Sequence, residues 1–213
     1  MSEKPIILTV SGQIAHLILS NPPKNEMTGY FFQELASLSR RDLPALSVKG
    51  MIVYGKGRHF SSGANVQELI SLFRRKQPAA PAPFLVENIN SFLSIETAPF
   101  PVVAVINGCC LGSGLELSLA CDYRIATAHA VFSLPEASFD IMPGCGGTVR
   151  LAERVKKNKA MEIILSGDMF SAEAALSMGV IDAIVRKEEI LKAAYKIINT
   201  MGKRKTQKIQ PHE

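Results

Sequence analysis

The side chain best placed to do chemistry is a carboxyl, Glu116, close to a turn of small residues. Glu116 lies in the stretch PVVAVINGCCLGSGLELSLAC, from Pro101 to Cys121. Val102 to Ile106 has no polar alternation and reads as a strand covered on both faces. Asn107-Gly108 is a turn signal, and Gly112-Ser113-Gly114 leaves the backbone uncrowded before Leu115 to Cys121, which reads as a buried helix. Strand, tight turn and helix N-terminus in succession gather free N–H groups at one point, where they can face a developing oxyanion. Glu116 falls in the first turn of that helix, either as a charge favoured by the helix dipole or as an acid–base group. Glu136 follows Pro135, and residue type alone leaves it as a surface turn residue.

The elements that must carry these groups are short. Ile6 to Val10 and Ile14 to Leu19 read as two strands around Ser11-Gly12-Gln13, closed by Asn21-Pro22-Pro23. A helix with Met27, Phe31, Leu35 and Leu38 on one face follows. Val48 to Tyr54 reads as a strand, after which Phe60 to Asn65 repeats the small-residue turn ahead of a helix from Val66 to about Phe73. A chain that repeats this unit can bring two N–H clusters together. Gln77 to Pro83, with its PAAPAP run, reads as an extended or mobile surface loop, and Phe84 to Thr97 as a helix. Tyr123 to Ala126 and Ala130 to Ser133 read as strands, with a break at Pro135-Glu136. A helix opens at Pro143 and runs through Leu151, another covers Ala160 to Leu165, and Ser171 caps a helix that Gly179 stops. Val180 to Val185 reads as a last strand and Glu189 to Thr200 as an amphipathic helix. The class is α/β: one core domain over residues 1–200 and a basic, disordered tail over 201–213.

Composition narrows the partners. The net charge of +5 comes partly from local clusters around Arg74, Arg154 to Lys159 and Lys203 to Lys208, with no aromatics interleaved among them. That favours solvated faces or a polyanionic small molecule over nucleic acid. Four cysteines without a CxxC spacing point to reduced thiols, with neither a disulfide framework nor a metal site. No leader pattern or membrane-length apolar run is present, so a cytoplasmic location is expected. No GxGxxG follows the first strand, and Gly144 to Thr148 lacks the lysine of a Walker A loop.

Three segments in order, HFSSGANV, then PVVAVINGCCLGSGLELSLACDYRIAT, then FSLPEASFDIMPGCGGTVRL, resemble the crotonase superfamily of enoyl-CoA hydratases and isomerases. The resemblance runs from about Ile6 to Val185. It implies a crotonase (ClpP-like) spiral of strand–strand–helix repeats and assembly into homotrimers or hexamers. It also implies an acyl-CoA thioester substrate, so that coenzyme A is part of the substrate and no separate cofactor is expected. By motif position the thioester oxygen lies between the N–H groups of Ala64 and Ser113, and Glu116 and Glu136 match the two catalytic glutamates. For the coenzyme, the Asn21–Met27 loop and residues Gly63 to Val66 match the family's adenine site, giving Lys24, Asn25, Gly63, Ala64, Asn65 and Val66, with Lys24 nearest the phosphates.

With both glutamates present, hydration of a 2-enoyl-CoA (or the reverse dehydration, as in fatty acid or polyketide metabolism) is the leading expectation. Glu116 would deprotonate water and Glu136 deliver the α proton. Isomerisation by Glu136 alone and a catalytically weak acyl-CoA-binding paralogue are the alternatives. Two departures bear on this. Ser113 stands where relatives carry glycine, and can crowd the thioester or add a donor; Asn65 stands where they carry aspartate. The family's further C-terminal helices, which roof the acyl pocket, are expected to be truncated here. Outside the main set, His16 reads as a surface residue of a strand, His59 as structural or solvent-facing, and Cys145 as a small residue in a tight turn. Asp140 matches an aspartate that is catalytic in some members.

Overall fold

The computed structural model describes residues 4–75 and 83–201. The loop expected over 77–83 and the tail expected over 201–213 therefore fall outside it, apart from Pro83, which opens a helix, and Met201, which ends one. Strands β1 (Ile6–Ser11), β2 (Ile14–Leu19), β3 (Gly50–Gly55), β4 (Val102–Ile106), β6 (Tyr123–Ala126) and β9 (Ala183–Ile184) form one sheet in the order β1-β2-β3-β4-β6-β9. β1 and β2 are an antiparallel hairpin, and every later pairing in this sheet is parallel. β5 (Cys109–Leu111), β7 (Val131–Ser133) and β8 (Phe170–Ser171) form a second sheet, β5-β7-β8.

The two sheets make the spiral. β4 leads into β5 and then helix α4 (Ser113–Ala120); β6 leads into β7, a 3-10 turn (Pro135–Phe139) and α5 (Gly147–Val155). The turn before it follows the same path with less regular structure: after β3, Ser61 bridges to Cys110 of β5, and α2 (Val66–Arg75) and α3 (Pro83–Glu96) follow. α1 (Gly29–Arg41) precedes these repeats, and α6 (Lys157–Ser166), α7 (Ala172–Met178) and α8 (Ile190–Met201) complete the helices. This is the α/β crotonase-like fold of strand–strand–helix repeats.

Burial on both faces explains the apolar run of β4. Val102, Ala104 and Ile106 enter the main core, whereas Val103 and Val105 enter a second core beneath Ile190, Ala194 and Ile198 of α8. Gly50 of β3 lets α8 approach, since a Cβ there would lie 2.5 Å from the Ile198 side chain. α4 has all eight residues buried, as its composition, apolar and small except for Glu116, favours. Buried Arg124 closes the other end of that helix, donating to the carbonyls of Ser118, Cys121 and Asp122 and pairing with Asp182. Cations at a helix C-terminus are favoured by the dipole, so this contact fixes the axis on which Glu116 is mounted.

Several expectations are corrected. Met27 is outside α1; Thr28 caps that helix, its hydroxyl accepting from the Phe31 N–H, and Met27 instead bridges to Ala64. His16 is buried, because its face of β2 lies under α8, and its Nε2 is 3.0 Å from the Tyr195 hydroxyl. The strand expected over 180–185 shortens to β9, and β5 and β8 were not anticipated. Pro135-Glu136 is a 3-10 turn where a break was expected. Among the described residues no helix is long and apolar enough to cross a membrane, and the four cysteines are free thiols.

Candidate active site

Two loops converge where β3 and β4 hand over to their helices. The Ser61 N–H donates to the Cys109 carbonyl, and the Leu111 N–H donates back to Ser61, locking the turn 61–65 against the turn 109–114. The contact is close: a Cβ on Gly63 would lie 2.8 Å from the Leu111 carbonyl oxygen. Gly63 (φ 89°) and Gly112 (φ 49°) both adopt backbone conformations that favour glycine. Each glycine precedes one of the expected oxyanion donors, Ala64 and Ser113. Among the described residues neither of those N–H groups donates to another backbone group, and both residues line the same cavity. Ser113 is the first residue of α4, so its N–H is one of the helix's free donors.

Glu116 is 1% exposed and is gripped from outside its own helix. Its Oε1 accepts from the Cys145 N–H (2.8 Å) and the Gly147 N–H (2.9 Å) at the start of α5, and its Oε2 is buried with no hydrogen-bond partner among the described residues. A Cβ on Gly147 would lie 2.7 Å from Glu116 Cγ, so only a bare backbone fits there. Burial pushes the carboxyl's pKa up, opposed by the two N–H donors, the Arg150 charge and the Ser113 hydroxyl. Arg150 holds the gripping loop in place: its Nη1 donates to the Cys145 carbonyl (2.6 Å) and its Nε pairs with Glu96 (2.8 Å).

Glu136, on the 3-10 turn, brings its carboxyl to Gly112, with Oε1 3.0 Å from where a Cβ of that glycine would stand. Its Oε2 is likewise buried and, among the described residues, unpartnered. Burial, and then the Glu116 charge, push its pKa up to about 7. Two interacting carboxyls, one gripped by two N–H donors of a distant loop and the other favoured only by its own backbone N–H, is the arrangement that separates an acid from a base.

The cavity has a volume of about 610 Å³. Ser62, Gly63, Ala64, Gly112, Ser113, Glu136 and Cys145 line its reactive end, while Phe32, Leu69, Ile70, Phe84, Leu85 and Met142 are among its apolar wall residues. Glu136 is in the lining; Glu116 sits immediately behind it, bonded to Cys145. The Ser113 hydroxyl favours the ionised forms of Glu116 and Cys145, so it is close to both. Burial dominates at Cys145, pushing its thiol pKa well up and away from nucleophilic use. Asp140 lies at the cavity's exposed rim, with φ 56° at the end of the 3-10 turn. His59 is structural, its Nδ1 accepting from the Cys109 N–H.

The residues expected to hold coenzyme A are also brought together. The Ser62 N–H donates to the Lys24 carbonyl and the Ser61 hydroxyl to the Asn25 carbonyl, so the Lys24–Asn25 loop borders Gly63 to Val66. Lys24 is exposed there. Asn25 spends its side chain internally: it is 1% exposed, donates to the Lys56 and His59 carbonyls and accepts from the Asn21 N–H. Asn65 caps α2 by accepting from the Glu68 N–H, and donates to Glu26. Sequence reasoning missed Arg150 and the Cys145–Gly147 grip. The glycine run around Cys145 was a usable signal, whereas an arginine within an amphipathic helix gives none.

Comparison with known proteins agrees with this fold. A family model described as "Enoyl-CoA hydratase/isomerase" matches residues 9–211. The chain is 36% identical over 191 residues to a "probable enoyl-CoA hydratase" of Bacillus subtilis, covering 89% of this chain and 72% of that protein. It is 35% identical over 217 residues to the fatty acid oxidation complex subunit alpha of Vibrio parahaemolyticus, covering 99% of this chain and 30% of that one. Among solved structures, an enoyl-CoA hydratase from Thermoplasma volcanium superposes with a TM-score of 0.81 at 30% identity, covering 93% of this chain and 77% of the other. One from Bacillus halodurans gives 0.83 at 26% identity, covering 92% and 79%.

Proposed function

The chain belongs to the enoyl-CoA hydratase/isomerase family, and from that premise we propose that it adds water across the 2,3 double bond of a 2-enoyl-CoA, or removes it in reverse. The observation that carries this reading is the carboxyl pair: Glu116 with two N–H donors on one oxygen and the other unpartnered, beside Glu136 with a pKa raised to about 7. The thioester oxygen accepts from the Ala64 and Ser113 N–H groups. Glu116 Oε2 takes a proton from water as its oxygen bonds to C3. The C2=C3 π electrons move towards the thioester, where the two N–H groups stabilise the enolate-like charge. Glu136 gives its proton to C2, and exchange with solvent restores both carboxyls.

Coenzyme A then runs past Gly63 to Val66 towards exposed Lys24, with Asn25 acting through the loop it braces and not by side-chain contact. Assembly as a homotrimer or hexamer goes with this reading. Met161, Leu165 and Met169, 58%, 63% and 68% exposed, supply apolar surface for copies to cover. A second reading, isomerisation by Glu136 alone, is favoured by one observation: Glu136 lines the cavity and Glu116 stands behind it.

The test follows loss of the conjugated thioester absorbance of a 2-enoyl-CoA in water enriched in oxygen-18, with mass analysis of the product. The proposal expects a 3-hydroxyacyl-CoA carrying the heavy oxygen. Absence of label uptake, with the protein still binding the thioester, would overturn it.

A further inference from the structure

α3 turns four buried residues inward at helical spacing: Asn88, Ser91, Phe92 and Ile95. Ser91 satisfies its hydroxyl on its own helix, donating to the Glu87 carbonyl at 2.8 Å. Asn88 does not do the same, and among the described residues its side chain makes no hydrogen bond, although it is only 7% exposed. It stands in the wall of the main cavity and also in the wall of a second chamber of about 260 Å³. The two chambers share Phe32, Ala64, Leu69, Phe84 and Asn88, so the amide is set among apolar side chains where the chambers meet. The amide is open to the chambers, so a plain hydrocarbon chain lying over it strips its water and leaves it unbonded, a cost that a ligand group able to bond the amide avoids.

We infer that Asn88 selects acyl chains carrying a hydrogen-bonding oxygen over plain hydrocarbon chains of the same length. The inference rests on the thioester reading of the site. Charge assigns the contact to the acyl chain and not to the coenzyme. The second chamber is bordered by Glu68 and by Glu87, which pairs with Arg40, and its described lining holds no cation for phosphates; Met27, Ala64 and Asn65 border it from the coenzyme side, where Lys24 is exposed beside Ser62. The phosphate end leaves by the Lys24 side, and the acyl chain passes Asn88 into the second chamber. There the amide N–H₂ donates to the chain's oxygen.

The test is an oxygen scan read by binding, which needs no turnover. Saturated acyl-CoA esters of one length, each with a single methylene replaced by an ether oxygen at successive positions, are titrated calorimetrically against the wild type and Asn88→Leu. One position in the scan is expected to bind about tenfold tighter than its neighbours in the wild type, the worth of one hydrogen bond. Asn88→Leu is expected to lose that preference and bind the plain chain at least as well as the wild type. A flat scan in the wild type overturns the inference whatever the variant does, as does an equal loss in Asn88→Leu for every ester including acetyl-CoA, which would mark a pantetheine contact. Failure of every CoA ester to bind would overturn the thioester reading and this inference together; tight binding with a flat scan overturns the inference alone.

Discussion

Glu136→Gln should make the protein's stability less sensitive to pH, in a direction and by an amount the site geometry sets. The Glu136 carboxyl titrates near 7 in the fold against an ordinary value of 4.5, because burial and then the Glu116 charge disfavour its ionised form. A folded-state pKa raised above the unfolded one gives stability that is fully present below the unfolded pKa and lost as pH rises through the folded one. Between about pH 5 and about pH 8 the wild type should therefore lose about 2.5 kcal/mol that Glu136→Gln keeps, at ~1.4 kcal/mol for each pH unit in which only the unfolded chain ionises. For a domain of this size that corresponds to ~5–10 °C in Tm. Urea unfolding of both proteins across the range reads it directly, as a gap between their stabilities that widens towards high pH. A gap that stays constant from acid to alkaline pH would show that Glu136 titrates normally, and the argument for it as a proton donor near neutrality would fail.

The proposed oxyanion hole makes its own prediction. Ser113→Pro removes an N–H that no backbone group uses, at the first helical position, where proline is tolerated; circular dichroism should stay native while hydration slows by about 10²–10³. Ser113→Gly, which keeps the N–H, should retain most of the rate. Arg150→Met removes the guanidinium that bonds the Cys145 carbonyl and pairs with Glu96. Breaking that pair should cost about 3 kcal/mol in urea unfolding, and because the Arg150 charge favours ionised Glu116, the acid limb of the pH–rate profile should move to higher pH.

Much of this site is legible in the chain because it is built from backbone. Gly63 and Gly112 announce turns, and the residues after them carry the free N–H groups, so Ala64 and Ser113 can be found from motif position alone. Glu116 is visible as a carboxyl in a segment otherwise apolar and small. What residue order hides is which distant segment meets it: the Cys145 and Gly147 N–H donors lie 29 and 31 residues downstream. Glu136 looks like a surface turn residue because Pro135 starts a 3-10 turn, and only the packing of that turn over Gly112 buries its carboxyl. His16 was misread for the same reason. Strand alternation puts it on the face away from the main core, and α8, from the far end of the chain, turns that face into a second core. The strands β5 and β8 are three and two residues long, too short for any periodicity to register.

On the proposed reading, Glu116 makes the difference between hydration and proton shuttling in one site. The most direct measurement gives wild type and Glu116→Ala two substrates, a 2-enoyl-CoA for hydration and a 3-enoyl-CoA for isomerisation. Glu116→Ala is expected to lose hydration by about 10²–10⁴ while any isomerisation by Glu136 persists. Hydration that survives the substitution, at a rate close to the wild type, would contradict it.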